Sequence, residues 1–159
     1  MNERTEKSAG SKPETRNCTE ELLEELHKNV TMGKQSLTDI MPKVKNAELS
    51  SELTCQFNEY DKFCDSITEM LKRFGGQTKT QGFMTKMSAK LGIEMNTLTD
   101  SSDAHIAQMI IEGTTMGITE TIRLVRDYEN SNCSEEALEL ASKLVSYQEK
   151  IVENMKRFL

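Results

Sequence analysis

The sequence predicts an all-α protein, a four-helix bundle assembled from two related helical hairpins. Three observations carry this reading. Apolar residues recur at steps of three and four through four long segments that Gly and Pro rarely interrupt. Leu, Met, Glu and Lys, all good helix formers, dominate those segments. The tripeptide Thr-Met-Gly occurs twice, at 31–33 and at 115–117, and the same offset brings other parts of the chain into register.

Residues 1–16, MNERTEKSAGSKPETR, are polar and are expected to form a flexible N-terminal tail, not a signal peptide. The bundle is expected over 17–159. Helix 1 should open at NCTEE, with Asn17 or Thr19 as its cap and glutamates complementing the positive end of the helix dipole. Its apolar stripe is Leu22, Leu26, Val30, Gly33, Leu37, Ile40 and Val44, and Pro42 should kink or end it. Helix 2 follows a turn near Asn46. Its stripe is Leu49, Leu53, Gln56, Tyr60, Phe63, Ile67, Leu71 and Phe74, and Gly75–Gly76 should stop it.

A bridge over 75–100 is expected to hold a short amphipathic helix with Phe83, Met84, Met87 and Leu91 on one side. TDSSD at 99–103 suits the start of helix 3, whose stripe is Ile106, Ile110, Gly113, Gly117, Thr121 and Leu124. Helix 4 should open at NCSEE, 132–136, with Ala137, Leu140, Ala141, Leu144, Gln148, Ile151, Met155 and Phe158 facing inward.

A shift of 84 residues lays Thr31-Met32-Gly33 on Thr115-Met116-Gly117 and Lys72-Arg73-Phe74 on Lys156-Arg157-Phe158. It also pairs Asn46 with Asn130, Ser50 with Ser134, Glu52 with Glu136 and Ile67 with Ile151. Residues 19–74 and 103–158 therefore read as an internal duplication. Each copy is a hairpin with one apolar face that cannot be buried alone, and two copies can close on each other. Gly33, Gly113 and Gly117 then belong to the stripes, where missing side chains let helices approach; a Gly-x-x-x-Gly inside a helix makes no phosphate loop.

Two related hairpins with a long link between helices 2 and 3 resemble the ferritin-like superfamily over about 19–159. The resemblance implies a link that crosses the bundle and leaves helices 2 and 3 parallel; a 25-residue helix is about 37 Å long, within reach of the bridge. It also brings the question of a di-iron centre, which needs inward Glu and two Glu-x-x-His pairs. Glu24 and His27 make one such pair, but His105 has Ser102 at the matching position. At about 100° per residue, Glu24 points away from the helix 1 stripe, His27 sits to its side, and Glu112 points away from Ile110, Gly113 and Gly117. The polar residues on or beside the stripes are Asn29, Gln56, Tyr60, Thr114, Thr121, Tyr147 and Gln148, all neutral. They should hydrogen-bond to one another or to water and fix helix register.

The expected role is thus a non-catalytic bundle acting through its surface or by self-association. No catalytic residue, metal ligand or cofactor is assigned. The alternative is a metal-binding or oxidoreductase protein with an asymmetric site drawn from Glu24, His27, Glu59, His105 and Glu112. A small-molecule carrier would need a cavity near Ala107, Gly113, Ala137 and Ala141. Met84, Met87, Met95, Met109 and Met116 crowd the bridge and one flank of helix 3; they suit packing of the bridge helix there, or an adaptable face for a protein partner or a second copy.

The net charge of −6 and the lack of a basic stripe argue against nucleic acid. No apolar run reaches membrane-spanning length. Cys18, Cys55, Cys64 and Cys133 contain no Cys-x-x-Cys pair, and are expected as free thiols in the cytoplasm. No local pattern suggests a Cys/His or Ser/His/Asp arrangement.

Overall fold

The computed structural model describes residues 17–76 and 99–159, and the chain is all-helical over them. The expected tail and the expected bridge helix lie outside the described residues. The elements are α1 (Cys18–Ile40), a 3-10 turn (Met41–Lys43), α2 (Ala47–Arg73), α3 (Asp103–Glu129), α4 (Glu135–Met155) and a closing 3-10 turn (Lys156–Phe158).

Local chemistry sets the ends. Asn17 caps α1 by accepting from the Thr19 N–H, and Glu20 and Glu21 occupy the first turn. Thr19 is not the cap; it is buried and accepts from the Ser134 N–H at the start of α4. Pro42 ends α1 in the 3-10 turn. Asn46 caps α2 by accepting from Glu48 and Leu49, and its amide donates to Asp103 at the start of α3. At the far end Gly75 adopts φ +77°. Its N–H reaches Lys72 and that of Gly76 reaches Leu71, the paired closure that a left-handed residue permits. Ser102 caps α3.

Contacts between helices give the topology. Lys34 pairs with Asp61, so α1 and α2 are antiparallel. Glu21 meets Tyr128 and Asn29 meets Gly117, so α1 and α3 are antiparallel too. Glu52 meets Asn154, and Arg73 meets Glu136, which sets α2 against α4 in opposite directions. It follows that α2 and α3 run in the same direction. Gly76, beside Glu20, and Asp103, beside Asn46, therefore stand at opposite ends of the bundle.

The core follows the stripes. Leu22, Leu26, Val30, Leu49, Leu53, Ile67, Leu71, Ile106, Ala137, Ala141, Leu144, Ile151 and Met155 are buried. Each large aliphatic side chain removed from water in this way contributes about 1.5–3 kcal/mol. Two departures matter. α1 is buried on a second side, where Leu23 joins Glu24 and His27, which are only 7% and 9% exposed. The single-stripe reading of Glu24 and His27 as peripheral is corrected by this. Conversely, no residue of α3 between Ile110 and Thr121 is buried, and Gly113 is exposed. The expectation that Gly113 mediates close packing is corrected by that exposure, and among the described residues a Cβ there would meet nothing within 4 Å.

Candidate functional site: a groove between α1 and α3

Between Ile110 and Gly117 of α3, that helix and α1 border a groove of about 370 Å³. Met32, Leu37 and Ile40 form one wall, and Met109, Ile110 and Met116 the other. Gln56, Tyr60 and Gln148 line it from α2 and α4, while Glu112 and Glu120 stand among the α3 lining residues. No Lys, Arg or His is among the described lining residues. Met116 is 66% exposed, although it belongs to a helix whose ends are packed.

A polar network runs beneath one end. The Asn29 amide donates to the Gly117 carbonyl and to Thr121 Oγ1, each at 2.9 Å. Gln148 Nε2 donates to Asn29 Oδ1 at 2.9 Å and to the Tyr60 hydroxyl at 3.3 Å. Burial raises the Tyr60 phenol, opposed by its hydrogen bonds to Gln148 and Thr114, so it stays protonated. All four helices thus meet in neutral hydrogen-bonding groups, as the neutral stripe residues lead one to expect. Gln56 instead donates to Glu52 and to Met155 Sδ. The Oε1 atoms of Gln56 and Gln148 are buried and find no hydrogen-bond partner among the described residues. Acceptors left this way cost about 1–3 kcal/mol each, so they favour a donor arriving from the groove.

Glycine matters at two points here. A Cβ on Gly117 would lie 2.9 Å from Asn29 Oδ1 and 3.0 Å from Gln148 Nε2. One on Gly33, its match at the 84-residue offset, would lie 3.0 Å from the Tyr60 ring. Both small residues make room for the network or the aromatic beside it, as their stripe positions imply.

The residues weighed for a metal do not gather. His27 turns toward α2, Glu59 pairs with Lys62, Glu112 accepts from Gln108, and His105 stands in the first turn of α3. Among the described residues no group of three or more His, Cys, Asp or Glu is placed to hold a metal ion. Of the residues around which a small-molecule carrier would need a cavity, Ala107, Ala137 and Ala141 are fully buried and Gly113 lines the groove.

The structure does bring together a Cys/His pair that the sequence conceals. His27 Nε2 lies 3.9 Å from Cys64 Sγ, and Thr31 Oγ1 lies 3.8 Å from the same sulfur while donating to the His27 carbonyl. Burial, then the charge of Lys34, lowers the imidazole below its ordinary 6.5; burial raises the thiol. Both shifts oppose a thiolate–imidazolium ion pair, so the neutral forms persist at pH 7. A spacing of 37 residues on two helices left no local signal from which to find the pair.

No described helix is long and apolar enough to cross a membrane. Compared with protein-family models, curated proteins and solved structures, the chain matches none.

Proposed function

We propose that this chain is a non-catalytic, ferritin-like bundle of duplicated hairpins that acts through surface interaction, and that the acting surface is the α1–α3 groove. The parallel direction of α2 and α3 supports the ferritin-like reading. The neutral interior network and the neutral His27–Cys64 pair support a binding role over a chemical one.

The observation that carries the proposal is the chemistry of the groove. It offers methionine walls, two buried carbonyl oxygens lacking donors, and two glutamates with no basic residue among its described lining. Methionine adapts to varied apolar shapes. The occupant that fits is an amphipathic helix of a partner protein carrying apolar anchors flanked by Lys or Arg, the helix-in-groove mode. The α1 and α3 walls span Asn29–Ile40 and Met109–Glu120, about 16 Å or three helical turns. A second copy fits less well, because a chain of net charge −6 would set Glu112 and Glu120 against their own counterparts.

Titration of isotopically labelled protein with a Leu/Lys amphipathic helical peptide tests this by NMR. A Leu/Glu peptide of equal length serves as the control. Shifts at Met32, Ser36, Met109 and Met116 with the basic peptide alone are expected. Gly113→Leu, whose side chain enters the groove without meeting the core, should weaken binding about tenfold, about 1.4 kcal/mol. Equal response to both peptides, no response, or dimerisation through the groove would each overturn the proposal.

A further inference from the structure

The buried second side of α1 holds a grouping that the groove does not use. His27 on α1 and Cys64 on α2 face each other, with Nε2 and Sγ 3.9 Å apart. Neither residue lines the groove. His27 is nine-tenths buried, while Cys64 is half-buried and reachable from solvent. The other ring nitrogen, Nδ1, is buried and has no hydrogen-bond partner among the described residues. No bond therefore fixes the tautomer, and Nε2 is free to face the sulfur as a bare lone pair.

We infer that His27 Nε2 and Cys64 Sγ form a two-ligand site for a soft monovalent metal ion of the copper(I) class. Bonds of about 2.3 Å to sulfur and about 2.0 Å to imidazole nitrogen span the 3.9 Å gap at an angle of about 130°. A tetrahedral ion would draw the same two atoms to about 3.5 Å. The donors, a thiolate and an imidazole, suit copper(I). Structural zinc takes four ligands, and among the described residues no group of three or more His, Cys, Asp or Glu is placed to hold a metal ion. Thr31 Oγ1, 3.8 Å from the sulfur, is a hard oxygen that already donates to the His27 carbonyl.

Charge selects the valence. Lys34, itself paired with Asp61, acts electrostatically on both groups. As the ion binds, the Cys64 thiol gives its proton to solvent, the S–metal and N–metal bonds form, and the ring keeps its single proton on Nδ1. One positive charge replaces another, so the net charge beside Lys34 is unchanged. A divalent ion would add a charge there against the repulsion of the ammonium. No electron is transferred, and the ion stays monovalent.

The test presents the reduced, full-length folded chain with copper(I) buffered by bicinchoninate in the absence of oxygen. Cys18→Ser, Cys55→Ser and Cys133→Ser are combined so that Cys64 is the remaining thiol. One equivalent of copper is expected by native mass spectrometry, with a shift of the His27 Nε2 resonance and protection of Cys64 from a maleimide. Cys64→Ser in that background should abolish uptake. His27→Gln should weaken it on the order of 100-fold, because the fold holds the imidazole beside the sulfur. Zinc at equal concentration should not be retained. No copper uptake, an unmoved His27 resonance, equal affinity after His27→Gln, or stoichiometric zinc would each overturn the inference. The His27 resonance of the wild-type chain decides the matter even if the variants fold poorly.

Discussion

Gln148 on α4 donates to Asn29 on α1 at 2.9 Å, joining the two hairpins across the bundle. Asn29 in turn donates to Gly117 and Thr121 on α3. Asn29→Ala should therefore leave the Gly117 carbonyl without this donor and Gln148 with only Tyr60 as acceptor. The expected loss is about 1–3 kcal/mol, read as a lower urea midpoint at unchanged m-value. A loss below ~0.5 kcal/mol would mean that water replaces the amide without penalty.

The three stripe glycines should respond in opposite directions. Gly117→Ala forces a methyl against Asn29 and Gln148 and should destabilise by about 1–3 kcal/mol. Gly33→Ala presses on the Tyr60 ring, which can yield slightly, so its cost should be smaller. Gly113→Ala meets open space on an exposed helix and should stabilise by about 0.5–1 kcal/mol through helix propensity and a less free unfolded chain. Thermal melts of the three variants side by side check the ordering.

Gly75→Ala should cost about 1 kcal/mol, because the φ of +77° that closes α2 is unfavourable for a residue with a Cβ. Gly75→Asn should lose less, since Asn tolerates the left-handed region better. Equal losses for the two would argue that the closure is not what the glycine supports.

His27 should make stability pH-dependent. Its folded value lies below the ordinary 6.5, so between the two the unfolded chain binds a proton that the folded chain does not. Stability is therefore full above about 6.5 and falls as pH drops through the window beneath it. His27→Gln should remove that component. Urea midpoints of both proteins from pH 7.5 to 5.5, above most carboxylate titration, should converge or diverge accordingly. A wild-type slope no steeper than that of the variant would contradict the assignment.

Much of the fold was legible residue by residue. Asn17, Asn46 and Ser102 announce helix starts because a side-chain oxygen beside unsatisfied N–H groups acts locally. Pro42 and Gly75 announce ends for equally local reasons, and the stripes through Leu22, Leu53, Ile106 and Leu144 follow from a period of 3.6. The neutral inward residues Gln56, Tyr60, Thr121 and Gln148 could be read from the same period, and the hydrogen bonds of the last three around Asn29 follow from the cost of burying them alone, whereas Gln56 turns to Glu52 and Met155.

Position along a stripe did not tell how far apart neighbouring helices stand. Gly113 and Gly117 occupy one stripe, yet only Gly117 meets the interior, because a groove opens beside α3 at Gly113. Nor could one helical wheel show that Leu23, Glu24 and His27 are buried on a second side of α1. The pair His27–Cys64 was invisible for a related reason. Periodicity fixes the direction of a side chain about its own axis, a property of a few consecutive residues; proximity between helices depends on where two axes lie, which only the packing of the whole bundle decides.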